Sequence, residues 1–95
     1  MTTLTGRQRH RLRALAHTLR PVILVGAGGL SDGLVAETER ALTDHALIKV
    51  RLAGERAERR AQAEALCQRT GAELVQLIGR MAVLYRPSDK TPLEF

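Results

Sequence analysis

The stretch Val22-Ile23-Leu24-Val25-Gly26-Ala27-Gly28-Gly29-Leu30-Ser31-Asp32-Gly33 passes from four consecutive apolar residues, through three glycines in four positions, into a helix start. A short, β-branched run without alternation reads as a strand covered on both faces, which places it centrally in a sheet. The glycines let the chain turn sharply, and the Ser31 hydroxyl can cap the helix that follows. A strand–turn–helix unit near the start of the chain predicts an α/β domain. The open question is what so bare a turn serves: a nucleotide, a nucleic-acid backbone, or only a tight connection.

Working outward, Thr5-Gly6-Arg7-Gln8 has capping-box spacing, so a helix is predicted from there to about Leu19. At 100° per residue, Leu12, Leu15, Ala16 and Leu19 share one arc. Arg7 and Arg11 border that arc on one side and Arg9, Arg13 and Arg20 on the other, so the arginines face water. Pro21 ends the helix, because its ring disfavours helical geometry in the residue before it. The second helix is predicted from Ser31 to about His45, with Leu34, Val35, Thr38, Ala41 and Leu42 turned inward.

Leu47 to Leu52 alternates as a strand, with Ile48, Val50 and Leu52 on one face and Lys49 and Arg51 on the other. A third helix spans about Ala57 to Thr70, packs through Ala63, Leu66 and Cys67, and stops at Gly71. Two strands, Leu74 to Ile78 and Met81 to Tyr85, flank Gly79-Arg80, a two-residue hairpin turn with glycine first. The order is αβαβαββ: a single compact α/β domain over residues 1–87, built on a four-stranded mixed sheet packed with helices. Residues 88–95 read as a flexible C-terminal tail.

Ninety-five residues suit one domain, and 44% apolar with 26% charged residues suits a folded one. The single cysteine, Cys67, forms no internal disulfide, no Cys/His spacing suggests a metal, and a reducing, cytoplasmic setting fits. The longest charge-free run, Pro21 to Leu30, is far shorter than a bilayer span, and no signal-peptide core precedes it. The charge is unevenly placed. Arg7, Arg9, Arg11, Arg13 and Arg20 stand without an acid before Asp32, so the whole excess of +5 belongs to the N-terminal third. Such asymmetry points to a polyanionic partner, against the plainer reading of a solvated basic face.

A dinucleotide fold would need glycine where Ser31 stands, and an acid at the end of the next strand; both are missing. A mononucleotide loop would need a lysine, and the turn has none. What remains is Gly26-Ala27-Gly28-Gly29, a GxxG element. Glycines there expose backbone amides and remove side chains that would hold a nucleic-acid backbone away. The plain alternative is a connection that needs positive φ.

Beyond the turn, several short motifs occur in order: Leu4-Thr5-Gly6-Arg7-Gln8-Arg9, Leu15-Ala16-His17, Pro21 to Gly26, Gly29 to Gly33, Leu47-Ile48-Lys49-Val50, Ile78-Gly79-Arg80 and Leu84-Tyr85-Arg86-Pro87. Together they resemble the CRM domain family (chloroplast RNA splicing and ribosome maturation), in particular its short, single-domain bacterial members of the YhbY type. The resemblance covers about residues 4 to 87. It implies a fold like the C-terminal domain of translation initiation factor three, and an RNA-binding protein that associates with large-subunit ribosomal RNA or its precursor particles and assists ribosome assembly. The family's loop maps onto Gly26, Ala27, Gly28 and Gly29. Many members carry a basic residue where this chain has Ala27, so more of the phosphate attraction must come from the arginines of the first helix.

Arginine's planar donor fork suits phosphate oxygens. Tyr85 and Phe95 are the only aromatics, so no platform for stacked bases is available, and recognition of backbone and shape is expected. His10 and His17 read as solvent-facing, His45 as partly buried at a helix end, Cys67 as a packed thiol and Tyr85 as an anchor of the sheet edge. No pair of titratable residues has the spacing of a nucleophile and its base, so no enzyme and no cofactor are expected. The alternative is a protein-interaction module whose basic face meets an acidic partner. The sequence reading is thus a monomeric binder of structured RNA, with candidate contact residues Arg7, Arg9, Arg11, Arg13, Arg20 and Gly26 to Gly29.

Overall fold

The computed structural model describes residues 4–93. The elements follow the predicted order: α1 (Gly6–Ala16), β1 (Ile23–Leu24), α2 (Asp32–His45), β2 (Leu47–Arg51), α3 (Arg56–Thr70), β3 (Glu73–Ile78) and β4 (Met81–Tyr85). They form one mixed sheet in the order β1-β2-β4-β3. β1 runs parallel to β2, as a strand joined through a crossover helix must, while β2–β4 and β3–β4 are antiparallel.

Local signals set most boundaries. Thr5 and Gln8 form the reciprocal capping box of α1, and the Ser31 hydroxyl accepts the Leu34 N–H at 3.1 Å to start α2. Gly71 closes α3 in the left-handed conformation at φ +74°, and Gly79 opens the β3–β4 turn at φ +56°. Glu55 and Glu58 make a second capping box at the start of α3, a signal not used in reading the sequence.

The sheet has two faces. Ile23 and Val25, Ile48, Val50 and Leu52, and Ala82 and Leu84 point to the layer of α2 and α3, where Val35, Leu42, Ala63 and Leu66 complete the larger core. On the opposite face, Leu47, Val75, Val83 and Tyr85 are covered by Leu12 and Ala16 of α1, with Leu4. A bulge between Leu74 and Gln76 brings Val75 and Gln76 together on the α1 side.

Two expectations are corrected. The Val22–Val25 run is an edge strand, not a central one: only β2 pairs with it, through bonds that run from Val22 N–H on Lys49 O to Val25 N–H on Arg51 O. Ile23 and Val25 are buried, while Val22 and Leu24 stand exposed, because α1 packs over β2, β4 and β3 and leaves β1 uncovered on that side. The first helix also ends at Ala16, before the predicted Leu19. His17 and Leu19 N–H groups reach back three residues, and the chain unwinds ahead of Pro21, so Leu15 and Leu19 leave the predicted buried arc.

Arg86 ties the layers together. Its guanidinium donates to the Glu39 carboxylate and to Thr70 O, each at 2.8 Å, and to Glu39 O and Thr43 Oγ1, each at 3.1 Å. The segment expected to be a flexible tail lies along the end of α2: Ser88 Oγ donates to Thr43 O, Thr91 Oγ1 to Asp44 O, Lys90 pairs with Asp44, and Leu93 packs against the smaller core. Residues 94 and 95 of that predicted tail, and residues 1–3 of the predicted domain, lie outside the described residues.

Candidate nucleic-acid interface

The glycine turn leaves β1 at the end of the sheet where β2 also finishes. The Gly29 N–H closes it on Gly26 O at 3.0 Å, and the Ser31 N–H bonds Gly29 O at 3.2 Å. Gly29 has φ +68°, so there the backbone itself asks for glycine. Gly26 and Gly28 differ. Neither has positive φ, and a methyl group added at either would meet no heavy atom within 4 Å. Nothing inside the described protein requires glycine at these two positions. Together with Ala27 they present an exposed, side-chain-poor backbone. The adjacent acid, Asp32, is paired with Arg69 at 3.0 Å.

The arginines of the N-terminal third do not behave alike. Arg7, Arg11, Arg13 and Arg20 are exposed and make no hydrogen bond or ion pair among the described residues. Arg9 is occupied: its Nη1 donates to Leu74 O at 2.6 Å and Val75 O at 3.3 Å, and Nη2 lies 3.9 Å from the Glu73 carboxylate. Its guanidinium fastens α1 to the bulged strand, and the side chain is only partly exposed. The arginines also do not form one cluster. Arg13, near the end of α1, lines a pocket with Lys49 and Met81 on the loop half of the sheet. Arg20 stands near the start of β1, beside a groove of about 440 Å³ bordered by Leu15, Leu19, Val22 and His45.

Two cations that the sequence reading left outside the candidate set belong to this surface. Lys49 and Arg51 alternate with Ile48, Val50 and Leu52 and therefore project to the α1 side, and Arg51 sits beside Leu24 in the strand register, next to the glycine turn. Strand alternation already separated them from the core, and that was the usable signal. α1 has no acid, and the strands present only Glu73 on its side, where Arg9 meets it. The remaining strand and helix acids lie on the α2–α3 layer, among them Glu37, Glu39, Glu58 and Glu64. The exposed charge on this face of the sheet is therefore mainly cationic, with Glu73 its one strand carboxylate, and the face borders the glycine turn.

Three other titratable groups among the described residues are shifted by their surroundings. Burial, aided by Glu73 and Glu64, pushes the Cys67 thiol up to about 11, as for a packed cysteine. Burial raises the Tyr85 phenol, and the Lys90 ammonium beside Asp44 holds its carboxyl below the ordinary range. His45 is exposed at the end of α2, where partial burial was expected. Among the described residues no three His, Cys, Asp or Glu side chains come together as a metal site, and no helix is long and apolar enough to cross a membrane.

The model of the CRS1/YhbY (CRM) domain matches residues 4–86, nearly the whole chain. The chain belongs to the CRM domain family. A probable RNA-binding protein of Pseudomonas aeruginosa is 48% identical over 88 residues, 92% of this chain and 85% of the relative. An RNA-binding protein of Haemophilus influenzae is 44% identical over 95 residues, covering 99% of this chain and 96% of its own. The fold is similar to the solution structure of a Staphylococcus aureus protein described as a candidate RNA binder, at a TM-score of 0.81 and 38% identity over 92% of both chains. The αβαβαββ order and four-stranded mixed sheet of this CRM domain are thus shared with a solved relative.

Proposed function

We propose that this CRM domain binds structured RNA, specifically large-subunit ribosomal RNA or its precursor particle, as a monomeric, non-catalytic assembly factor in the cytoplasm. The observation that carries the reading is the pair of glycines, Gly26 and Gly28, whose missing side chains leave room for a molecule outside the protein. A backbone without side chains at a loop tip lets phosphates and riboses come close to amide donors. The long-range attraction comes from α1, itself without an acid, through Arg7, Arg11 and Arg13, and from Arg20, Lys49 and Arg51 outside it. Arg9 contributes less to that field, since its Nη1 is held by Leu74 O and Val75 O and the Glu73 carboxylate lies 3.9 Å from Nη2. The RNA-binding names of the CRM relatives support the partner class.

Binding to purified large-subunit ribosomal RNA across a salt series tests this reading. Neutralising about three to five phosphates gives a log–log salt slope of roughly −2 to −4. Arg11→Ala with Arg13→Ala flattens that slope, and Gly28→Asp weakens binding at every salt concentration. Wild-type protein with no affinity for RNA near physiological salt contradicts the reading and turns attention to an acidic protein partner.

A further inference from the structure

α1 ends before it has covered the sheet. Beyond Ala16, one row of side chains crosses all four strands in register: Leu24 beside Arg51, Arg51 opposite Met81, and Met81 opposite Ile78. The two ends of the row are apolar and bare, with Leu24 and Ile78 each 64% exposed. Arg51 and the half-buried Met81 stand between them, so the row offers apolar and cationic side chains together. Between this row and the last turn of α1 lies a pocket of about 230 Å³, lined by Arg13, His17, Lys49, Gln76, Ile78 and Met81. The bulge in β3 turns Gln76 toward this side, and its amide has no hydrogen-bond partner among the described residues.

We propose that this pocket seats one unpaired nucleotide of the bound RNA, a subsite that rests on the RNA-binding reading and extends it from backbone to base. Ile78 and Met81 form an apolar floor for the face of a base, in place of the aromatic platform the chain lacks. The Gln76 amide offers a donor and an acceptor together, which is what the edge of a base presents in return. Arg13 and Lys49 stand beside the pocket for the phosphate of that nucleotide, and no acid opposes them there. An apolar floor, an amide with both polarities and two cations in one pocket together match the base and the phosphate of a single nucleotide. The nucleotide must be unpaired, because in an A-form helix its faces are stacked and its pairing edge is taken. The row through Arg51 and Leu24 leads to the glycine turn, so a strand leaving a duplex held at the turn reaches the pocket along this row.

The test compares a fully paired RNA hairpin with the same hairpin carrying a short unpaired tail, by fluorescence anisotropy, for wild type, Gln76→Ala and Ile78→Ser, after thermal melts show that each variant folds. Wild type is expected to bind the tailed RNA about tenfold more tightly, as one base contact of ordinary strength gives. Each variant loses most of that gain while binding the paired hairpin as wild type does. Photo-crosslinking from a thiouridine in the tail of the wild-type complex marks Ile78 or Met81. Equal affinity of wild type for the two RNAs, or a gain that persists in both variants, overturns the subsite and leaves the RNA-binding reading intact. No binding of either RNA removes both.

Discussion

Arg9→Ala should separate two roles that the sequence presents as one. The side chain lies in a series of four arginines spaced by two along the first helix, yet only Arg9 reaches across to β3. Its bond to Leu74 O at 2.6 Å is a strong charge-assisted one, the second to Val75 O at 3.3 Å is weaker, and the ion pair with Glu73 at 3.9 Å is partly exposed and screened. A hydrogen bond to a charged group contributes about 1.5 to 3 kcal/mol, and an exposed ion pair adds little. Water can reach the vacated carbonyls, so about 1.5 to 2 kcal/mol is the expected loss. For a domain of this size that lowers Tm by roughly 6 to 15 °C. Arg11→Ala, whose side chain touches nothing among the described residues, should stay within about 0.5 kcal/mol of wild type and reduce the RNA salt slope by about 1 instead. Calorimetry and salt-dependent anisotropy on the two variants give the comparison. Unchanged stability for Arg9→Ala with a reduced slope would refute the assignment of Arg9 to the fold.

The glycines divide in the same way. Gly26→Ala and Gly28→Ala have space and ordinary φ, so chemical denaturation should show stability unchanged or slightly raised, with RNA affinity down about fivefold, whereas Gly29→Ala at φ +68° should lose about 1 kcal/mol of stability. Arg86→Ala empties a fork that holds Glu39, Thr43 and Thr70, and urea unfolding should register about 2 to 4 kcal/mol, which Arg86→Lys does not restore because one ammonium cannot span those acceptors. The contribution of Cys67 and Tyr85 to stability should be full below pH 9 and fall as pH rises toward 11: Cys67, ordinarily near 9.0, is raised to about 11, and Tyr85 is raised from 10.0, so the unfolded chain releases these protons first. Cys67→Ala should make that alkaline loss, followed by circular dichroism, distinctly shallower.

The parts of the fold legible in the sequence are those specified within a few residues. Thr5 with Gln8, Ser31, Gly71 and Gly79 each satisfy or permit a local backbone geometry, and each marks the end of an element where expected. The place of the first strand was not legible. Val22-Ile23-Leu24-Val25 is apolar on both sides, but whether a strand is covered depends on how far a neighbouring helix extends, and α1 stops short of it. The role of Arg9 was hidden for a related reason: helical periodicity puts it beside Arg13, and nothing local announces acceptors 65 and 66 positions away. Lys49 and Arg51 were the converse case. Alternation put them on the face away from the core, and only the sheet register shows that this face adjoins the glycine turn.

The central claim is that the glycine turn and the cationic α1 face form one RNA surface. Amide chemical-shift mapping by NMR, during titration with a ribosomal RNA hairpin, tests it most directly. The largest changes should fall on Gly26 to Gly29, on the exposed arginines of α1, and on Lys49 and Arg51, with the outer faces of α2 and α3 silent. Changes concentrated on α2 and α3, with the turn unmoved at saturating RNA, would contradict it.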